Sequence, residues 1–122
     1  MKILNAKFHG FVDFAVVAAF LTGPALLGFS GLPMKLSYAL AAIHSGLILT
    51  TIYPFGLIKL VPFTVHGMIE FVVAIGLVAF PWVLGFSSEE AARNFYVAAG
   101  VAVFLTWMTT DYKSANLTLR KG

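Results

Sequence analysis

Apolar residues run along this chain in four stretches, at residues 8–27, 36–53, 63–84 and 95–110, each interrupted by few polar positions. Each is near the ~20 residues that a helix needs to cross a bilayer. The intervening segments 28–35, 54–62 and 85–94 collect turn residues and most of the remaining charges. Short connections make sequential helices antiparallel neighbours. The pattern therefore predicts an all-α fold, a four-helix transmembrane bundle.

The four stretches form two copies of one unit. At an offset of 57 residues (His9 to His66), His9-Gly10-Phe11-Val12-Asp13-Phe14 falls on His66-Gly67-Met68-Ile69-Glu70-Phe71. The same offset brings Pro24-Ala25-Leu26-Leu27-Gly28-Phe29-Ser30 onto Pro81-Trp82-Val83-Leu84-Gly85-Phe86-Ser87. At an offset of 59 (Thr51 to Thr110), Thr50-Thr51-Ile52-Tyr53 falls on Thr109-Thr110-Asp111-Tyr112. We expect one membrane domain over 1–122 with internal repeats at about 5–56 and 62–115. A two-helix unit crosses twice, so its copy inserts in the same orientation. The repeat is then parallel, about an axis along the membrane normal, unlike the inverted repeats of many transporters.

Composition agrees with a lipid-solvated surface. Hydrophobic residues make up 60% and charged residues 11% of the chain, with a mean hydropathy of +0.93, whereas soluble domains carry about 25% charged residues. The absence of cysteine removes disulfides, thiolate metal sites and cysteine nucleophiles. The first apolar stretch is expected to be a retained span and not a cleaved leader, because Asp13 lies within it and the segment recurs in mid-chain. Lys2, Lys7, Lys59, Lys113, Arg120 and Lys121 fall on the side of the termini, and Lys35 and Arg93 on the other. That bias places both termini in the cytoplasm of a multi-pass membrane protein. It leaves no basic patch for nucleic acid.

Ionisable and hydroxyl groups gather towards the terminal side. His9 and Asp13 open the first span and His66 and Glu70 the third; four residues apart, each pair lies on one helix face. Brought together by the repeat, His9, Asp13, His66 and Glu70 form a ligand set for a divalent metal such as iron, zinc or manganese. His9, His44 and His66 are alternatively candidate haem ligands. The bland alternative is that each pair satisfies itself and nearby backbone, and so fixes packing. A proton or ion path through the carboxylates is a third, since ionisable groups inside a membrane are costly. His44 interrupts an apolar run on a face with Ser37, Ala41 and Thr51, so Asp13, Glu70 and His44 are expected to share one interior polar layer. Gly10, Gly67, Gly76 and Gly100, with the pairs Ala42/Gly46 and Ala98/Ala102, read as close-packing positions. Pro24 and Pro81, each followed by Gly-Phe-Ser a few residues on, read as helix-ending devices. No phosphate loop, G-x-S-x-G or HExxH motif occurs.

Phe80-Pro81-Trp82-Val83-Leu84-Gly85-Phe86, together with His9-Gly10-x-x-Asp13, Thr51-x-Tyr53-x-x-Gly56 and Lys59-Leu60-x-Pro62 leading into His66-x-x-x-Glu70, resembles the SPW repeat family of small bacterial membrane proteins. The chain departs from the name-giving Ser-Pro-Trp by Phe80, and has Gly23-Pro24-Ala25 in the first repeat. The resemblance implies a duplicated two-helix membrane fold and no particular reaction. The expected function is that of a structural or accessory membrane protein with no established reaction, more an accessory protein than an enzyme, in contact with lipid and associating with itself or a larger complex. A haem- or metal-binding redox protein and a proton or ion translocator are the alternatives. The charge bias has a direct test: a cysteine added after Gly122 should resist an impermeant thiol reagent in intact cells and react after lysis. Labelling in intact cells would reverse the orientation.

Overall fold

The computed structural model of the protein describes residues 2–113. Four helices carry the chain: α1 (Ala6–Leu27), α2 (Gly31–Thr50), α3 (Phe63–Val83) and α4 (Glu90–Thr109). All four are long and apolar enough to cross a membrane; the 22 residues of α1 span about 33 Å. Side chains such as Leu26, Ile43, Val72 and Leu105 are exposed on the outside of the bundle. This surface is suited to acyl chains and not to water.

α1 packs along α2, and α3 along α4, giving two helical hairpins. The histidine–carboxylate pairs at the starts of α1 and α3 meet one another, so these two helices run in the same direction. The hairpins are parallel repeats. α1 and α4 share a further seam, whereas α2 and α3 approach each other at few points.

Helix ends follow from local chemistry and differ from the apolar boundaries. α1 starts where the Asn5 side chain accepts the Phe8 N–H at 3.0 Å. α2 begins at Gly31, ahead of the predicted residue 36; Pro33 fits there because a first-turn residue needs no intrahelical N–H partner. α4 begins at Glu90 instead of residue 95, with a carboxylate in the first turn, where the helix dipole favours it. The first turn of α4 carries Glu90 and Arg93, and that of α2 carries Gly31 and Pro33 ahead of Lys35, so neither extends the uninterrupted apolar run that marks a span.

Pro24 and Pro81 sit inside α1 and α3, near their ends. The stop itself comes from Gly28 and Gly85 at φ 73° and 81°, with Phe29 N–H donating to Pro24 O and Phe86 N–H to Pro81 O. Pro24 has no N–H for the carbonyl of Phe20, one turn back. The Ser37 hydroxyl of α2 donates to that carbonyl at 2.6 Å, so the proline becomes a tie between the helices of the first hairpin.

At the terminal end the two hairpins are cross-linked through backbone. Beyond α2, β1 (Thr51–Ile52) pairs in parallel with β2 (Val61–Pro62), which leads into α3. Beyond α4, Thr110 makes the corresponding parallel bridge to Leu4, which leads into α1. Lys59 Nζ holds the intervening turn by donating to Tyr53 O and Gly56 O. Helical periodicity carries no signal for these short extended pairs.

The far half of the bundle is filled by Phe20, Phe29, Leu77, Phe86, Tyr96 and Val103. The glycines divide by surroundings. A Cβ on Gly100 would lie 2.8 Å from Ala74 O, so α4 rides directly on the α3 backbone; Gly10 and Gly67 instead admit the rings of Phe55 and Tyr112. Ala42 and Gly46 do not draw helices together. Both are exposed, and nothing lies within 4 Å of a Cβ added at Gly46; in lipid a small residue without a facing helix gains no packing. Gly100→Ala should therefore cost about 1–3 kcal/mol by forcing α3 and α4 apart, while Gly46→Ala should be neutral. Thermal unfolding of the two variants in the same detergent checks this, and equal midpoints would remove the close approach as a stabilising feature.

Candidate functional site

Where the two hairpins meet, α1 supplies His9 and Asp13, α3 supplies His66 and Glu70, and α2 supplies His44. The first four are buried, at 0–2% exposure. Their ends form a closed ring in which nitrogen and carboxylate alternate. His9 Nε2 lies 3.2 Å from Asp13 Oδ1 and 2.9 Å from Glu70 Oε2; His66 Nε2 lies 3.1 Å from Asp13 Oδ2 and 2.7 Å from Glu70 Oε1. Each carboxylate thus contacts both its own histidine and that of the other repeat. His44 Nε2 stands outside this ring, 3.3 Å from Asp13 Oδ1 and 3.7 Å from Glu70 Oε1. The polar layer of Asp13, Glu70 and His44 is present, with His9 and His66 beside it.

The outer nitrogens of the ring histidines decide their tautomer. Thr51 Oγ1 donates its one proton to Leu47 O at 2.5 Å and contacts His66 Nδ1 at 2.7 Å. In the other repeat, Thr110 Oγ1 donates to Thr106 O at 2.6 Å and contacts His9 Nδ1 at 2.8 Å. A hydroxyl whose proton is committed to a carbonyl can only accept. Both histidines therefore carry a proton on Nδ1 and turn Nε2 towards the carboxylates. A neutral ring would then set a lone pair against carboxylate oxygens at contact distance, which is repulsive. Positive charge is required at the centre, as protons or as a metal ion.

His9 Nε2 is buried and, despite its 2.9 Å approach to Glu70, makes no aligned hydrogen bond. One ligand atom from each of His9, Asp13, His66 and Glu70 lies within 4.8 Å of the others. Imidazole and carboxylate bonds of about 2.0–2.2 Å put neighbouring donors of one ion about 3 Å apart, close to the edges of this ring. A haem is different. The His9 and His66 rings lie 5.4 Å apart, edge to face, with both carboxylates between their Nε2 atoms, and a macrocycle has no slot there.

The two repeats support their carboxylates unequally. Tyr53 hydroxyl donates to Asp13 Oδ2 at 3.0 Å, and His44 shares a hydrogen bond with Oδ1. Tyr112, the counterpart of Tyr53, makes no hydrogen bond to Glu70 among the described residues, and Val103 stands where the repeat would place His44. Burial, and then the negative charges of Asp13 and Glu70, push both phenols above the usual tyrosine range. Both hydroxyls remain protonated, and Tyr53 stays a donor. Thr51, Thr110 and Tyr53 were legible as polar helix-end residues, but not as partners. Their signal is the duplicated Thr-Thr-x-Tyr, since a hydroxyl that recurs with a histidine has a reason to meet it.

On the far side of the cluster the buried interior is apolar. Ser37 and Tyr96, the polar groups buried there, bond to backbone carbonyls. No file of titratable groups leads from the ring to the opposite end among the described residues. The tautomer assignment predicts that ¹⁵N spectra of labelled protein show protonated Nδ1 on His9 and His66. Thr51→Val should disturb His66 alone and Thr110→Val His9 alone. An unprotonated Nδ1 on either residue would reverse the assignment.

Comparisons of the chain with protein families, curated proteins and solved structures find no match, so the chemistry of the site rests on its own geometry.

Proposed function

We propose that this protein is a membrane-embedded metal-binding protein that holds one divalent first-row transition ion through His9, Asp13, His66 and Glu70. The observation that carries this is the buried Nε2 of His9, aimed into the ring without an aligned hydrogen-bond partner while its Nδ1 proton is committed to Thr110. A proton on Nε2 would find no well-directed acceptor, whereas a cation needs the lone pair itself. A divalent charge also neutralises two carboxylates that low dielectric would otherwise make very costly. Mixed imidazole and carboxylate donors suit manganese, iron, cobalt or zinc. The hydroxyl–carbonyl relays behind Nδ1 are the kind of outer support that orients metal-binding histidines.

A second reading is favoured by one contact, the hydrogen bond of 2.7 Å between His66 Nε2 and Glu70 Oε1. In it the ring holds protons and acts as a clamp between the hairpins of a structural or accessory protein. In either reading we place the termini in the cytoplasm by the bias of the basic residues, and associate the chain with the SPW repeat proteins, and hence with a bacterial inner membrane, by its motifs. Lipid is its surrounding partner, and a second copy or a larger membrane complex its protein partner.

Elemental analysis separates the two readings. Protein purified in mild detergent from metal-supplemented cells should carry about one transition ion per chain. His66→Ala should lose it, and Glu89→Ala, exposed at the other end, should keep it. Wild-type protein that stays metal-free after incubation with Mn(II), Fe(II), Co(II) and Zn(II) in turn would favour the clamp.

A further inference from the structure

The two carboxylates of the ring are equivalent by repeat but not by surroundings. Asp13 is held from both sides: Oδ2 accepts from Tyr53, and Oδ1 is bonded by His44. The single proton of His44 Nε2 serves Asp13, the nearer carboxylate, and leaves Glu70 without it. Tyr112 and Val103, the counterparts of these donors, give Glu70 nothing in return. Glu70 is also on the longer side chain. Of the two carboxylates, it is the one held by the ring histidines alone, without an outside donor among the described residues.

The same side of the ring is the one that opens. Between α2 and α3, where the helices approach at few points, lies a crevice of about 30 Å³ with Glu70 and His44 at its floor. Leu40, Ile43, Leu47, Ile69 and Val73 line its walls, and Ile43 and Ile69 are exposed on the lipid-facing surface. One water-sized molecule needs roughly 10–15 Å³ on this measure. The crevice therefore admits something small. Its apolar walls reject a hydrated ion, which would lose its shell against leucine and isoleucine. His44 is the ring's exposed neighbour, its side chain 11% accessible against 0–3% for the four ring residues.

We propose that the exchangeable coordination position of the site lies on the Glu70 side, at the floor of this crevice, and that its ligand is a small neutral molecule dissolved in the acyl-chain region of the membrane. The inference rests on the metal reading above. Asp13 is then the fixed carboxylate ligand and Glu70 the one that yields a place.

Nitric oxide is a suitable probe, because it is small, neutral and lipid-soluble, and its binding to Fe(II) is followed by electron paramagnetic resonance. Iron-loaded wild-type protein in nanodiscs should bind it. Ile69→Trp, which caps the crevice from the lipid face, should slow association about tenfold or more with iron content unchanged, and Ile69→Ala should not slow it. Ala15→Trp, in the separate α1–α4 groove, should leave the rate as in wild type. Iron that binds but takes up no nitric oxide, or takes it up at one rate in all four proteins, would overturn the lateral route and leave the metal site standing. Wild-type protein that retains no iron, manganese, cobalt or zinc would overturn the metal reading itself and the inference with it.

Discussion

Everything at the terminal end of this bundle follows from having to bury two carboxylates and two imidazoles inside a membrane. Within one hairpin, Glu70 would have His66 alone for company and Asp13 would lack His66, and a charged group near the bilayer centre costs at least about 2.5 kcal/mol. Facing each other, the hairpins complete a ring in which each carboxylate is flanked by both histidines. The ring therefore does what hydrophobic burial does in water. It makes association of two otherwise lipid-soluble units favourable, where apolar contact alone offers little because lipid tails are as apolar as the side chains.

The backbone around the ring is arranged to hold that geometry. Thr51 and Thr110, which orient the imidazoles, are the first residues beyond α2 and α4, and each is also paired through its backbone to the strand that enters the other hairpin. A single residue thus sets a ring tautomer and ties two hairpins. Phe63, stacked on Tyr53 and packed against His9 and His66, closes the ring from the terminal side. Water is kept from the ring, and electrostatic attraction within it is correspondingly strong.

The repeat makes the site pseudo-symmetric, and a few residues that differ between its copies make it unequal. His44 against Val103 is the clearest, since an imidazole in one hairpin answers to an aliphatic side chain in the other. Tyr53 and Tyr112 are alike in type and differ in engagement. The consequence is one carboxylate supported from outside the ring and one held by the ring histidines alone, next to the seam where α2 and α3 separate. An exact dimer of a single hairpin would have two equivalent sides. A duplicated chain is free to give them different tasks.

By itself the sequence determined the four helices, their pairing into parallel hairpins and the residues that meet between them, because each rests on a periodic or repeated signal. Apolar length specifies a span, and a recurring His-x-x-x-acid on one helix face specifies two like surfaces brought together by one operation. Tertiary structure alone decided the true helix starts at Gly31 and Glu90, the extended pairs at Thr51 and Thr110, and the direction in which each histidine carries its proton. Those depend on contacts between segments distant in the chain, as the Thr110 hydroxyl reaching His9 does, and no local pattern encodes which partner a hydroxyl will find. The inequality of Asp13 and Glu70 is divided between the two: His44 falls on Val103 at the repeat offset of 59 in the sequence, but only the packing of α2 against α1 shows that His44 and Tyr53 both reach Asp13.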